Sequence, residues 1–198
     1  MSIAQSRPQP IAYSCDRQLS YAISCDELGV KLRKMPETSF DAIDRAIVMR
    51  LQQDGRIANV DLADAVSLSP SACLRRTKAL EAAGIIAGYR AEVDREAVGQ
   101  GLTVFIALRV DQHSRETSRL IEDSVAEIPG IVECHVISGE ADFLLEAVVP
   151  DLAAYEQLLL DRVLAIGPVR DARSTFVIRT SRSRGPIPVD RLGRSHQA

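Results

Sequence analysis

The 198-residue sequence has no tryptophan, and aromatic residues make up only 4% of it. Apolar residues still reach 46%, so the chain has the material for a core, but an aliphatic one specified by periodicity more than by ring packing. No apolar run approaches the roughly 20 residues that a membrane helix needs, so no membrane partner is expected. The opening stretch, MSIAQSRPQPIAYSCDRQ, has no basic segment followed by an apolar one. A secretory signal is therefore not expected, and the expected location is the cytoplasm.

Cysteine and histidine are scarce as well. Cys15, Cys25, Cys73 and Cys134 include no CxxC pair, the spacing that zinc and redox sites use. Cys73 and Cys134 sit in apolar segments and read as reduced, buried thiols. The three histidines, His113, His135 and His196, are too scattered for a metal cluster. No cofactor is expected. Positive charge is also missing in bulk: the formal net charge is -3, so any contact with nucleic acid must come from a local patch.

What is present divides the chain into four parts. Residues 1–36 lack helical or strand periodicity and carry Pro8, Pro10 and Pro36; they read as a disordered N-terminal extension. From Met35 onward the sequence looks like a natural protein start, so the extension is expected to be dispensable. Residues 37–93 then read as three helices and a wing. The first runs over about 40–53, with Ile43, Ile47, Val48 and Leu51 on one face. The second, short helix covers 60–66, with Asn59 as N-cap and Leu62, Ala63 and Val66 facing inward. The tight turn Ser67-Leu68 leads to SPSACLRR, where Ser69 reads as N-cap and Pro70 as the first helical residue. That is the one helical position at which a proline loses no hydrogen bond. Cys73, Leu74, Thr77 and Leu80 form the expected buried stripe, and Gly84 ends the helix. Two short helices, a tight turn and a sharply capped third helix describe a helix-turn-helix. The alternating GIIAGYRAEVD that follows reads as a strand or wing.

Residues 94–180 alternate strands and helices: strand 102–110, helix 115–128, strand 131–138, strand 143–149, helix 151–165 and strand 169–180. The order βαββαβ is the ferredoxin-like arrangement, and the fold class is α+β. Such a sheet has helices on one face only. Its other face is expected to carry apolar residues such as Val104, Ile106, Leu108, Val132 and Leu145, or their alternates, with a second copy of the chain as the simplest cover. Residues 181–198 read as a flexible basic tail.

Two places carry candidate chemistry. In the helix-turn-helix segment the cations do not outnumber the acids, but Arg75, Arg76 and Lys78 cluster on the third helix. Ser71, Arg75 and Lys78 fall at i, i+4 and i+7, opposite the buried stripe. Arg75 can reach a guanine edge, Arg76 and Lys78 can hold phosphates, and the helix N-terminus with Ser69 and Ser71 can meet another phosphate. A solvated surface helix would carry the same residues. The second place is SGEAD, 138–142. Gly139 permits a tight turn with exposed N–H groups that suit a carboxylate, and Glu140 and Asp142 suit an ammonium group. A β-turn with solvated acids is the plainer alternative.

The words and their order decide between these readings. FDAIDRAIVMRLQQDGRIANVDLA, then LSPSACLRRTKALEAAGIIAGYRAEVD, then GIVECHVISGEADFLLEAVVPDLAAYEQLL together resemble the Lrp/AsnC, or feast/famine, family of transcriptional regulators over residues 39–180. The resemblance implies a winged helix-turn-helix that reads double-stranded DNA through Ser69, Ser71, Arg75, Arg76 and Lys78. It also implies a RAM-type ferredoxin-like domain that binds a small amino-acid effector and forms homodimers, with assembly to octamers. The implied effector cleft includes Val136, Ser138, Gly139, Glu140, Asp142, Leu152 and Thr175. The chain departs from the family pattern at Glu140-Ala141-Asp142, where relatives often have Asp-x-Asp, at Gly167-Pro168, where many have Pro-Gly, and at Thr175, where relatives often have an aromatic. An architectural DNA-binding protein without an effector, and an enzyme built like the sirohaem decarboxylases, are the alternatives; the latter is short of candidate residues, with only His113, His135 and Tyr155 in the second domain.

Overall fold

The computed structural model of the protein describes residues 40–189. The expected N-terminal extension, Cys15, Cys25, His196 and the end of the basic tail lie outside the described residues.

Three helices come first: α1 (Ala42–Gln53), α2 (Asn59–Ala65) and α3 (Pro70–Ala82). Helix α1 starts two residues later than its apolar pattern implies, because Asp41 is its N-cap. The Asp41 carboxylate accepts from the backbone N–H groups of Ile43 and Asp44, and the Asp44 side chain accepts from the Asp41 N–H. This reciprocal box satisfies donors that a helix start otherwise leaves open. Phe40, just before the cap, is buried, as are Ile47 and Val48. Helix α2 has Ala58 rather than Asn59 as N-cap. The Asn59 side chain instead donates across to the Pro70 carbonyl at 2.9 Å, tying the start of α2 to the start of α3. Ser69 does cap α3, accepting from the Ala72 N–H, and Pro70 stands at the first turn.

Helix α3 ends in a Schellman motif. Gly84 takes a positive φ of 69°, the Ile85 N–H reaches the Leu80 carbonyl and the Gly84 N–H reaches that of Glu81, which is the 6→1 and 5→2 pairing of that cap. The expected wing does not form a strand: residues 85–94 make a bend and irregular chain with no ladder partner among the described residues. A strand without a neighbour leaves its N–H and C=O groups unpaired, so alternation alone does not make one. Tyr89 ties this segment back by donating to Glu81 on α3.

The second part comprises β1 (Leu102–Val110), α4 (Arg115–Ala126), β2 (Ile131–Val136), β3 (Phe143–Val149), α5 (Leu152–Gln157) and β4 (Val169–Phe176). The strands form one antiparallel sheet in the order β2-β3-β1-β4. Asp151 caps α5 through the Ala154 N–H at 2.8 Å, and α5 continues as a π-helical segment, Leu158–Val163. That change of pitch has no signature in the apolar spacing. β2 and β4 are shorter than their apolar runs imply, ending at Val136 and Phe176.

Both helices cover the same face of the sheet. Val104, Ile106, Leu108 and Leu145 point toward them and are fully buried with Ile121, Val125, Phe143 and Val163. These strand residues therefore belong to the helix side, not to the uncovered face. The alternates Phe105, Ala107, Leu144 and Val148 occupy the open face. Polar groups join them there: Arg95 reaches over to Glu146 at 2.7 Å and to the Thr103 hydroxyl. On the helix side Tyr155 stacks edge-on against Phe176 at 5.3 Å, and its hydroxyl meets that of Ser174.

Gly130, in the turn into β2, takes φ 94°, and a Cβ there would stand 3.1 Å from the Val148 carbonyl oxygen. The Gly130 carbonyl also accepts from the Val148 N–H at 2.7 Å, so the backbone cannot move away. Gly130→Ala is expected to lower unfolding stability by about 1–3 kcal/mol, read from the midpoint of a urea titration at unchanged slope.

Candidate functional site

On α3 the buried residues are Cys73, Thr77 and Leu80, so the outward face centres on Ser71, Arg75 and Lys78, all exposed. Arg75 and Lys78 have no ion-pair partner among the described residues. Leu74, expected in the buried stripe, is 44% exposed. It sits one residue, or about 100° of helix, past Cys73, at the edge of the Arg75 face. An apolar side chain there suits the methyl group of a thymine. This position was missed because a leucine beside a buried cysteine reads as core.

Arg76 has a different place. Its Nη1 donates to Asp41 Oδ2 and to Asp44 Oδ1, both at 2.8 Å. The guanidinium thus clamps the capped start of α1 to the middle of α3, and Asp44 is the one buried charged residue among the described residues. Arg76 Nη1 is thus committed inside the domain. The Asp44 N–H bond, and then Arg76, hold the Asp41 carboxyl below its ordinary value despite the opposing cost of desolvation. Asp41-x-x-Asp44 was the available sequence signal, a capping box with aspartate in the fourth position.

A second place of convergence lies at one end of the sheet. A cavity of about 470 Å³ is lined by Arg109, Val110, His113, Gly139, Glu140, Asp142, Arg170 and Asp171. Gly139 takes φ 128°, with open space where a Cβ would be. Both carboxylate oxygens of Asp142 have a partner. One carboxylate oxygen accepts from the Val110 N–H at 2.9 Å and the other lies 3.2 Å from His113 Nδ1. Its backbone N–H donates to the Leu108 carbonyl and its own carbonyl accepts from the Ile137 N–H. Asp142 therefore ties the ends of β1, β2 and β3 together. Glu140 pairs loosely with Arg173 at 3.6 Å, and its carbonyl accepts from Arg109 Nε.

Of the sequence-derived effector residues, Gly139, Glu140 and Asp142 line this cavity and Ser138 adjoins them. Val136 ends β2, in register with Phe143. Thr175 faces Phe105 on the open side, four β1 positions from Arg109. Leu152 begins α5 beyond the far end of the seven-residue β3, roughly 20 Å away at strand rise. Within one chain, Leu152 and Thr175 do not meet the loop. Arg109, Arg170 and Asp171 do, and were missed. They come from two strands far apart in sequence, and only the pairing register brings them together.

Arg76→Ala is expected to cost about 1–3 kcal/mol at neutral pH, and Arg76→Lys to rescue little, since an ammonium lacks the guanidinium fork. Asp41 has a depressed folded pKa. Its contribution is complete above the unfolded value near 3.8 and is lost as pH falls through the folded one. The gap between wild type and Arg76→Ala should therefore narrow below about pH 3.8, as measured by denaturant titrations across that range.

Comparison with known proteins agrees with this geometry in both halves. The AsnC-type helix-turn-helix domain matches residues 40–81, and the Lrp/AsnC ligand binding domain matches residues 103–187. The leucine-responsive regulatory protein of Escherichia coli K12 is 38% identical over 149 residues, covering 75% of this chain and 90% of that protein. A transcriptional regulator of Neisseria meningitidis, solved as a complex with L-methionine, superposes with a TM-score of 0.73 at 37% identity, over 77% of this chain and 98% of that one. The feast or famine regulatory protein of M. tuberculosis, also complexed with L-methionine, superposes with a TM-score of 0.68 at 33% identity, over 76% of this chain and 100% of that one. These relatives are regulators, which sets aside the decarboxylase-like reading. A capped helix that presents Arg75 and Lys78, followed by an antiparallel βαββαβ sheet with a polar cavity at its end, is thus the arrangement of a transcriptional regulator, and the chain belongs to the Lrp/AsnC family.

Proposed function

We propose that this protein binds specific double-stranded DNA through α3 and changes that binding, or its own assembly, when an amino acid occupies the cavity beside the 138–142 loop. The free, outward Arg75 and Lys78 carry the DNA half of this reading. Arg75 is the base-reading residue, Lys78 holds a phosphate, and Ser69 and Ser71 place the helix N-terminus against the backbone. Arg76 acts indirectly, by fixing the angle between α1 and α3. We assign DNA reading to residues 37–93 and effector sensing to 94–180, with 1–36 dispensable and 181–198 a tail. The relatives solved with L-methionine support an amino-acid effector, and cytoplasmic location follows from a role on DNA. Among the described residues no helix is long and apolar enough to cross a membrane.

The open sheet face supports a homodimer in which a second copy covers Phe105 and Leu144, and dimers of this kind can assemble further, to octamers. A second copy would also bring Leu152 and Thr175 to the effector cleft, where one chain alone does not. It doubles the number of reading helices, so the target is a pair of half-sites.

Arg75→Ala is expected to weaken binding to a footprinted operator by about 1–3 kcal/mol while leaving the sedimentation profile unchanged. Equal affinity of wild type and variant for that operator would refute base reading by α3. Phe105, 36% exposed on the open face, gives the second test. Phe105→Glu places a charge in the proposed dimer contact and should shift the protein to monomers in sedimentation velocity at micromolar concentration. A variant that remains dimeric would mean that the sheet face is not the interface.

A further inference from the structure

The charges around the sheet-end cavity are not all paired with one another, and one of the unpaired residues is placed by a β-bulge. β1 and β4 pair in register from Val104–Phe176 to Arg109–Asp171, after which Val110 pairs with Val169. Arg170 is the extra residue. It has no partner on β1, and a bulge of this kind turns a side chain out of the regular alternation. Here it joins Arg109 at the cavity wall.

The acids at the wall are not equally available. The Asp142 carboxylate is taken by the Val110 N–H and His113, and Glu140 faces Arg173. Arg109 spends its Nε on the Glu140 carbonyl oxygen. Its terminal nitrogens, and the whole Arg170 guanidinium, have no carboxylate partner among the described residues. Asp171 stands opposite Arg109 in the ladder, yet no ion pair joins them. Two guanidinium groups and one carboxylate are thus left to meet a ligand. Apolar surface is almost missing, since Val110 is the one aliphatic residue of the wall and it is itself buried. A cavity of about 470 Å³ falls in the range of small-molecule sites.

We infer that the effector of this protein is an acidic amino acid, an α-amino dicarboxylate of the aspartate or glutamate type. Its two carboxylates face Arg109 and Arg170, and its ammonium group faces Asp171. The inference rests on the reading of this cavity as the effector site. Arginine suits the role because its planar fork grips a carboxylate with two parallel hydrogen bonds. The Gly139 N–H remains available for one of the carboxylates. The bulge at Arg170 makes this a specificity device of the chain's own strands, separate from the loop that the family resemblance singles out.

The test is a thermal-shift and calorimetric titration of the full chain with L-glutamate, L-aspartate, L-methionine, L-leucine and 2-oxoglutarate, repeated with Arg170→Gln. L-glutamate or L-aspartate is expected to raise the midpoint and bind with measurable heat. 2-Oxoglutarate, which lacks the ammonium group, is expected to bind at least about tenfold more weakly, as is the acidic amino acid to Arg170→Gln. Circular dichroism of the variant without ligand establishes that it is folded. If L-methionine or L-leucine binds and the acidic amino acids do not, the inference is overturned while the effector-site reading stands. If no amino acid binds, both fall. An undiminished response in folded Arg170→Gln would remove the bulge arginine from the site and overturn the inference.

Discussion

The constraint on which the second half of the molecule depends is that its one sheet has both helices on the same side. Alternation along β1 then sends Val104, Ile106 and Leu108 into a fully dry core and puts Phe105, Ala107 and Arg109 on the other face. Polar and apolar residues mix on that open face, as they do on surfaces covered by association more than by folding. The ends of the strands are the remaining surface, and there the chain concentrates its charge. Asp142 closes this end by bonding to groups at the termini of three strands. A carboxylate accepting a backbone N–H at the end of a buried strand does the work of a missing ladder bond. Asp142, the central acid of the wall, is held by the backbone of β1, while Arg109, Arg170 and Asp171 make no ion pair among the described residues.

The same division of labour appears on α3. Arg75 and Arg76 are adjacent and chemically identical, but a 100° rotation separates them. One faces outward from the buried stripe; the other lies on the flank, against the start of α1. Bonded to two carboxylates, Arg76 converts the α1 capping box into a clasp between helices. A reading helix has to hold its angle to be specific, since base contacts are geometric. The acids that make the local net charge unfavourable for DNA are partly accounted for by this role: Asp41 and Asp44 are consumed internally and do not repel a phosphate as free surface acids would.

Much of this was legible from residue spacing. The Ser69-Pro70 start of α3, the Asp151 cap of α5 and the order of the six sheet-domain elements follow from caps and periodicity, which are local. What failed was non-local. GYRAEVD alternates like a strand, but a strand needs a neighbour to pair with. Val104 and Phe105 are both large and apolar, so the covered face could not be told from its alternate without knowing where the helices pack. Leu74 looks like core until α3 is rotated against α1 and α2. The side chains of Asp142 and Arg76 have internal partners 29 residues or more away in the chain, which no local spacing announces. The π-helical continuation of α5 leaves no trace in composition at all.

The tail after β4 shows how the two halves are joined. Ile187 exchanges two hydrogen bonds with the Gln52 side chain at the end of α1, its N–H donating to Oε1 and its carbonyl accepting from Nε2. Ser183 donates to Glu92, and Arg184 pairs with Glu133 on β2. The tail is thus bonded in turn to the segment after α3, to the sheet edge and to α1. All of these bonds are at exposed positions, where each contributes about 1 kcal/mol or less. A strap of that strength biases the position of α1 relative to the sheet without locking it. Regulation requires two arrangements close enough in energy for a ligand's differential affinity to choose between them.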